Sequence, residues 1–281
     1  MHKHRVLAFF VGLAIAAPAF AAQDIIVDCS NGTIGQALGD KEDKSKPLVL
    51  RVRGNCSEHV VIERDDVTLE GDGAGATITG SVTVDTGRRA LISNLTVWNA
   101  TGDGVTVVNG GSATIRGSSM VDNGGYGVSV RNGAFARVED SVLSRNGRTI
   151  VEASGIFVGT GSMARGLRNT MEGNANAAIE VGDNSTYRSE GDTVTSLPSG
   201  RVSLDVYRAS LADVRGVTAT GNVDVNQQSQ FQVRNVAGFP ASTLTGNIVV
   251  GAISFMRLRT GVVLNGARIC NGPFSVCQID P

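Results

Sequence analysis

Gly104-Val-Thr-Val-Val108 is followed 23 residues later by Gly127-Val-Ser-Val-Arg131, and the same five-residue step occurs five times in the chain. The other three copies are Ser81-Val-Thr-Val-Asp85, Gly155-Ile-Phe-Val-Gly159 and Ala178-Ile-Glu-Val-Gly182. Along the chain, the starts of the five copies are separated by 23, 23, 28 and 23 residues. Side chains alternate between the two faces of a strand, so the second and fourth positions of each step point inward. A short strand that recurs at this period is typical of a solenoid, whose repeats bury their apolar faces against each other.

More divergent copies extend the step in both directions. They are His59-Val-Val-Ile-Glu63, Arg201-Val-Ser-Leu-Asp205, Asn222-Val-Asp-Val-Asn226 and Asn247-Ile-Val-Val-Gly251. A second strand register follows the first in each repeat, as in Ala113-Thr-Ile-Arg116 and Ala136-Arg-Val-Glu139. The two registers predict parallel coils of two or three short strands between Val49 and Val263, wound around columns of branched aliphatic side chains.

The fourth position of the second register is charged in most repeats. It reads Glu70, Ser93, Arg116, Glu139, Arg168, Glu190, Arg215, Arg234 and Arg259. The sign alternates from Arg116 to Arg215, and opposite charges on adjacent strands stabilise a sheet by about 0.2–1 kcal/mol per pair. We therefore predict that these charges form a structural cross-strand ladder rather than a catalytic site.

Two segments resemble the repeats of a known superfamily. Asn123-Gly-Gly-Tyr-Gly-Val-Ser-Val-Arg-Asn-Gly133 and Asp140-Ser-Val-Leu-Ser-Arg-Asn146 are similar to right-handed parallel β-helix repeats of the pectate-lyase-like superfamily. The resemblance implies an all-β fold: a single-stranded, right-handed parallel β-helix (solenoid). A short N-terminal capping helix is predicted from the residues Thr33 to Gly39, where Thr33 can cap a helix with Ile34, Ala37 and Leu38 on one side. The resemblance does not imply one activity, because that superfamily contains polysaccharide lyases, hydrolases, epimerases, phage depolymerases and non-enzymes.

The N-terminus has the pattern of a secretory signal peptide. A basic start is followed by the apolar run Val6 to Ala17 and by the small residues of Ala19-Phe20-Ala21. This pattern predicts export, with the mature protein periplasmic or secreted. We predict a signal peptide at 1–21, an N-terminal cap at 22–48 with a short helix near Thr33 to Gly39, a parallel β-helix at 49–263 and a C-terminal cap at 264–281.

The four cysteines lie near the two ends of the mature chain. An even number of cysteines in an exported protein favours disulfides. Local pairing joins Cys29 to Cys56 and Cys270 to Cys277, so that each end is crosslinked to itself, although four cysteines allow three pairings. Zinc is the alternative, but the CxxC spacing of zinc sites is missing, so no metal site is predicted.

The charge balance restricts the partners that we expect. The chain carries 25 Lys and Arg against 26 Asp and Glu, a formal net charge of −1. This balance gives no reason to expect nucleic acid as a partner. The apolar run near the N-terminus is too short to span a membrane. We expect a rigid, elongated monomer that binds a polysaccharide or a cell-surface glycan.

The known catalytic signatures of the superfamily are missing. Its members that cleave acidic polysaccharides use a lysine or arginine base and carboxylates that hold calcium, and no lysine follows Lys46. The only mature histidine is His59. Asp205 and Asp224 fall on adjacent coils, but the repeat alignment puts them at different outward positions. No cofactor is therefore predicted, and calcium enters only if the protein is a lyase.

One patch on neighbouring coils has the residue types of a sugar-binding groove. Hydroxyl, amide and carboxylate groups pair with sugar hydroxyls, an arginine pairs with a uronate carboxylate, and an aromatic ring stacks on a sugar ring. The patch comprises Asp85, Arg88, Thr106, Asn109 and Arg131, with Trp98 and Tyr126 as the aromatic candidates.

Two functions fit this patch, and whether the protein is an enzyme is left open. The first is a carbohydrate-binding or structural module at the cell surface or outside the cell. The second is a polysaccharide lyase or depolymerase acting on an acidic glycan, with Arg131 as the base and Asp85 assisting. The second rests on the fold resemblance, which by itself does not define an activity.

Overall fold

The chain folds into a right-handed parallel β-solenoid of about 11 turns. The computed structural model describes residues 22–39, 46–196 and 201–280. Neighbouring coils pair through parallel strands. The predicted all-β parallel β-helix is therefore confirmed, whereas the predicted signal peptide lies outside the described residues.

Three sheets run along the solenoid, and a turn passes from sheet 2 to sheet 1 and then to sheet 3. Sheet 1 consists of Gln23–Asp28, Leu48–Arg53, Val67–Gly71, Arg89–Ser93, Ser112–Arg116, Phe135–Glu139, Met163–Leu167, Thr186–Glu190, Leu211–Arg215, Gln230–Arg234, Phe255–Leu258 and Val276–Ile279. Sheet 2 consists of Val60–Ile62, Val82–Val84, Val105–Val107, Val128–Val130, Ile156–Val158, Ala177–Val181, Val202–Val206, Asn222–Val225, Ile248–Val250 and Arg268–Cys270. Sheet 3 consists of Asn55–Cys56, Thr77–Thr79, Thr96–Trp98, Ser119–Val121, Val142–Ser144, Thr170–Asn174, Thr193–Ser196, Thr218–Thr220, Thr243–Thr245 and Val263–Asn265.

The core consists of the inward side chains of stacked strands. The second and fourth positions of the five repeated steps are all buried, as in Val105 and Val107 at 0% exposure. Burial of one such side chain contributes about 1.5–3 kcal/mol relative to leaving it in water. The step that was aligned on Arg201-Val-Ser-Leu-Asp205 is two residues too early, because Leu204 pairs with Ile179 and Val206 with Val181.

Sheet 3 is the part of the coil that the two sequence registers did not include. Its strands are mostly three residues long, and many bury only their central side chain, as in Thr96–Trp98 around Val97. One apolar residue between two polar ones does not produce a detectable alternation. The coil therefore has three strands where the sequence registers defined two.

The predicted charge ladder on sheet 1 is interrupted at one coil. Arg116 pairs with Glu139 across adjacent strands, and their side chains approach to 2.7 Å. The residue stacked on Glu139 in the next coil is Leu167, not Arg168. Arg168 lies one residue beyond, with a φ of 53°, and forms an ion pair with Asp140 at 2.7 Å. The prediction was wrong at Arg168 because that repeat was aligned one residue late.

A ladder of buried asparagines lies inside the corner between sheets 3 and 2. Asn123 donates its side-chain N–H to Asn146 Oδ1 at 2.8 Å, and Asn146 donates in the same way to Asn174 Oδ1 at 2.9 Å. The glycines that open three of the five steps, Gly104, Gly127 and Gly155, make room for this ladder. A Cβ on Gly127 would lie 2.7 Å from Asn146 Nδ2, and one on Gly155 would lie 2.8 Å from Asn174 Nδ2.

A second buried ladder lies at the corner between sheets 1 and 3. The backbone N–H of Ser118 donates to Ser141 Oγ, that of Ser141 to Asn169 Oδ1, and that of Asn169 to Asp192 Oδ1. Asp192 also accepts a hydrogen bond from the buried Tyr187 hydroxyl at 2.7 Å. A carboxylate therefore ends a ladder of otherwise neutral side chains.

Each end of the solenoid carries one disulfide, with the predicted pairing of Cys29 to Cys56 and Cys270 to Cys277. The predicted N-terminal helix is present at Ile34–Gly39, and Ile34 is fully buried. Glu58 accepts hydrogen bonds from the first backbone N–H groups of this helix, which stabilises its N-terminus. No helix within 22–39, 46–196 and 201–280 is long and apolar enough to cross a membrane.

Candidate functional site

The outer face of sheet 2 carries a column of side chains from the middle of each strand, one per coil. Along the solenoid this column reads Thr83, Thr106, Ser129, Phe157, Glu180, Asp205 and Asp224. Adjacent strands lie about 4.8 Å apart, so neighbours in the column are close. The column is hydroxyl-bearing at one end and acidic at the other, with one aromatic ring between.

At the hydroxyl-bearing end the predicted patch is only partly assembled. The Asp85 carboxylate accepts a hydrogen bond from the Asn109 amide at 2.7 Å, which lowers the pKa of Asp85. The Arg88 side chain does not pair with Asp85 but forms an ion pair with Asp65 at 3.2 Å. Asp85 is therefore joined to Asn109 but not to Arg88.

Arg131 lies near the centre of the face, between two aromatic rings. Its guanidinium carbon is 5.2 Å from the centroid of Tyr126 and 4.8 Å from that of Phe157. These are cation–π distances, and they hold the charge over both rings. Asp85 has other partners, so the structure does not bring the predicted base and its assisting carboxylate into contact. Trp98 ends a strand of sheet 3 and is 37% exposed there.

Asp103, which no repeat position in the sequence marks, lies beside Arg131. Its carboxylate accepts a hydrogen bond from the backbone N–H of Tyr126 at 2.9 Å. Burial raises the pKa of Asp103, and the nearby positive charge of Arg131 partly opposes that shift. We define the arginine cluster as Asp103, Tyr126, Arg131 and Phe157.

Three carboxylates on consecutive coils form the acidic end of the column, and we call them the carboxylate row. Glu180 pairs with Asp205, and Asp205 pairs with Asp224, in direct cross-strand register. The expectation that Asp205 and Asp224 occupy different outward positions was wrong, because the Arg201–Asp205 repeat was misaligned by two residues. Within the described residues, the side chains of Asp205 and Asp224 have no hydrogen bond or ion pair.

The proton affinity of the row is raised by burial and by its own charges. Burial raises the pKa of Asp205 to about 7, and the negative charges of Glu180 and Asp224 add to that shift. Burial also raises the pKa values of Glu180 and Asp224. The row therefore holds a carboxyl group that changes its protonation state close to neutral pH.

Glu180 is the best anchored member of the row. It accepts hydrogen bonds from the Tyr207 hydroxyl at 2.7 Å, from the Ser154 hydroxyl at 2.8 Å and from the Asn176 amide at 3.4 Å. These bonds favour its ionised form and fix its orientation. Burial and the contact with Glu180 raise the pKa of Tyr207, so the tyrosine remains a neutral hydrogen-bond donor.

Glycines let the aromatic rings lie against the sheet. A Cβ on Gly182 would be 2.5 Å from Cζ of Tyr207, and a Cβ on Gly159 would be 2.4 Å from Cζ of Phe157. Because any larger residue would push these rings away, the two glycines set their positions. Burial raises the pKa of Tyr126 to about 12, so this tyrosine is also neutral.

The carboxylate row does not form a metal centre. No three carboxylate, histidine or cysteine side chains in the described part of the chain have the arrangement of a metal site. The side chains of the row are spread along the solenoid axis, whereas calcium requires oxygen ligands that converge on one point.

The geometry defines a parallel β-solenoid with an aromatic and acidic site on one sheet face. The profile of the family described as "Right handed beta helix region" matches residues 51–194. The chain therefore belongs to the right-handed β-helix family. No curated protein matches it by sequence.

Solved structures resemble this fold at low sequence identity. The ORF18 protein of Geobacillus virus E2 superposes with a TM-score of 0.56 at 12% identity, over 86% of this chain and 59% of the viral one. An alginate lyase from Paenibacillus sp. str. FPU-7 gives a TM-score of 0.54 at 16% identity, over 92% of this chain and 99% of the lyase. Pectate lyase Pel9A gives a TM-score of 0.47 at 11% identity, over 90% of this chain and 80% of the lyase. This chain spans 59% of the viral protein's length, and the likenesses to the viral protein and the alginate lyase show the fold alone.

Proposed function

We propose that the protein binds a carbohydrate at the outer face of sheet 2, across the arginine cluster and the carboxylate row. The observation that carries the proposal is the position of Asp205, a half-buried carboxylate without a hydrogen-bond partner among the described residues, near Tyr207, which directly follows the strand Val202–Val206. Sugars present hydroxyl donors together with apolar ring faces. The Asp205 oxygens can accept from the hydroxyls, and the exposed part of the Tyr207 ring, whose centroid lies 5.3 Å from the guanidinium carbon of Arg208, can contact a ring face.

The charge of the site favours a neutral or amino sugar at this position. The row contributes three carboxylates, whereas Arg131 is already placed over two rings and close to Asp103. A uronate carboxylate beside the row would be repelled by like charge. The open face runs along the solenoid, so several units of a polymer can lie across successive coils.

We expect Tyr207→Ala to weaken glycan binding by about tenfold, since an aromatic contact contributes about 0.5–1.5 kcal/mol beyond the area that it buries. Calorimetric titration with neutral, amino and uronate oligosaccharides is the measurement. Tyr207→Phe keeps the ring and removes the hydroxyl that anchors Glu180, so it separates stacking from hydrogen bonding. Phe274→Ala, at a residue that is 83% exposed near the C-terminus, is the control and should leave affinity unchanged.

The proposal fails if no oligosaccharide in the panel binds. It also fails if Tyr207→Ala and Phe274→Ala bind the best ligand equally well.

Hydrolysis of the bound glycan is the second candidate function, and the pKa of Asp205 favours it. A carboxyl group that titrates at about 7 can act as a general acid, and Glu180, held by three hydrogen bonds that favour its ionised form, can act as the partner carboxylate. Coils about 4.8 Å apart bring such a pair close to the separation of about 5–5.5 Å found in retaining glycosidases.

If hydrolysis occurs, Asp205→Asn should reduce the release of reducing ends at least about 100-fold, the lower range for loss of a general acid. The rate in the unmodified protein should fall as the pH rises above about 7, because the acid must be protonated. Asp85→Asn, at the opposite end of the face, is the matched control. Equal rates in both variants would exclude Asp205 as the acid, and no reducing ends from any glycan would leave binding as the function.

A further inference from the structure

Sheet 1, on a different face of the solenoid, carries a row of arginines that the site on sheet 2 does not use. Arg137, Arg165 and Arg188 occupy the same outward position on three consecutive strands. Like charges directly opposite each other on adjacent strands destabilise a sheet. Elsewhere on the same sheet arginines alternate with carboxylates, as at Arg116 and Glu139.

The carboxylates around the arginine row are shared between guanidinium groups. Glu139 pairs with both Arg116 and Arg137. Glu190 pairs with Arg165 at 3.5 Å and with Arg215 at 3.4 Å. With Asp213, which pairs with Arg215 and Arg234, three carboxylates face five guanidinium groups, so the patch has excess positive charge before Arg188 is added.

The Arg188 side chain has no ion pair or hydrogen bond with the residues that the structure describes. Asp213 lies opposite it on the next strand. However, the Asp213 carboxylate forms ion pairs with Arg215 at 3.0 Å and with Arg234 on the following strand of sheet 1. An exposed guanidinium with five donors is thus left free in the row.

A groove with a volume of about 270 Å³ opens beside Arg188. Its walls include Phe135 and Met163 together with the guanidinium groups of Arg165, Arg188 and Arg215. The Glu190 carboxylate also lines the groove, and it is paired with Arg165 and Arg215. Met163 is 43% exposed and stacks on Phe135 in the sheet register, so the two form an apolar ridge along the arginine row. The groove combines an apolar wall for a ring face with planar cations for an anion.

We propose that the arginine row on sheet 1 binds an anionic polysaccharide that lies along the solenoid axis. The groove takes one sugar unit, with its apolar face on Met163 and its acid group paired with Arg188. Guanidinium groups bind carboxylates and other oxyanions in a bidentate manner, and the row repeats the cation at each strand spacing. The face differs from the one on sheet 2, so the inference stands or fails independently of that proposal.

The test is binding of Arg188→Glu to polygalacturonate, dextran sulfate and neutral dextran, measured at low and at physiological salt. We expect the unmodified protein to bind at least one of the two anionic polymers and not dextran, and the comparison distinguishes carboxylated from sulfated glycans. Arg188→Glu should weaken that binding by about tenfold or more, the value for one lost charge-assisted hydrogen bond. Salt should weaken binding of the unmodified protein more than that of the variant.

Arg268→Glu is the matched control, because Arg268 is also exposed and without a partner among the described residues, but it lies in the last strand of sheet 2. It makes the same change in net charge and should keep binding within twofold of the unmodified protein. Tyr207→Ala, which tests the site on sheet 2, should also leave polyanion binding unchanged. The inference is overturned if both charge reversals have equal effects, if neither anionic polymer binds, if neutral dextran binds as tightly, or if single-stranded DNA competes as well as the glycan.

Discussion

Asn146→Ala should lower the free energy of unfolding by about 3–5 kcal/mol, because several buried polar groups lose their partner at once. Asn146 is 1% exposed and donates to the Met120 carbonyl at 3.1 Å as well as to Asn174. Its Oδ1 accepts from the side chain of Asn123 at 2.8 Å and from that residue's backbone N–H at 3.2 Å. Each orphaned group costs about 1–3 kcal/mol. Urea denaturation followed by circular dichroism measures the change.

Asn265→Ala is the control for this ladder. Asn265 ends a strand of sheet 3, is exposed, and has no side-chain hydrogen bond to the described residues. Its replacement should change the free energy of unfolding by less than about 0.5 kcal/mol, as is usual at the surface. If Asn146→Ala were no more destabilising than Asn265→Ala, the ladder would not contribute to stability.

The repeated step predicts the columns of the core correctly because the twofold alternation of a strand is a local property. In every repeated step the second and fourth side chains point inward for this reason, as Val105 and Val107 do. The role of Gly127 could not be found in this way. A glycine is required at this position because a Cβ would lie only 2.7 Å from Nδ2 of Asn146, in the next coil. Such a constraint joins residues a full turn apart, and it appears only when the coils are stacked.

The site on sheet 2 could be predicted in part. Arg131 and Tyr126 belonged to the expected patch, and the structure brings them into contact. Asp103 was missed because it lies in the connection from sheet 3 to sheet 2, where no repeat position exists. The row of Glu180, Asp205 and Asp224 was missed because a two-residue error in alignment moves a side chain to another column.

Asp192→Asn should stabilise the protein by about 3 kcal/mol at pH 7 to 8 and remove a pH dependence. Burial raises the pKa of Asp192 from 3.8 to about 6, so the folded state binds the proton more tightly than the unfolded chain does. The stability of the unmodified protein therefore falls as the pH rises from about 4 to about 6 and then levels off. The amide of the variant can still accept from Asn169 and can donate to the Tyr187 oxygen. Unfolding in urea at several pH values between 4 and 8 measures both effects.

Asp140→Asn is the matched control with the opposite sign. The hydrogen bond from Arg168 lowers the pKa of Asp140, so its ionised form favours the folded state. That variant should lose stability at neutral pH and none below the pKa of Asp140 in the folded state. If Asp192→Asn were instead less stable than the unmodified protein at pH 8, the hydrogen bonds accepted by the carboxylate would outweigh the cost of its buried charge. The aspartate would then be the better end for the ladder, because an ionised acceptor forms stronger bonds with Asn169 and Tyr187 than an amide does.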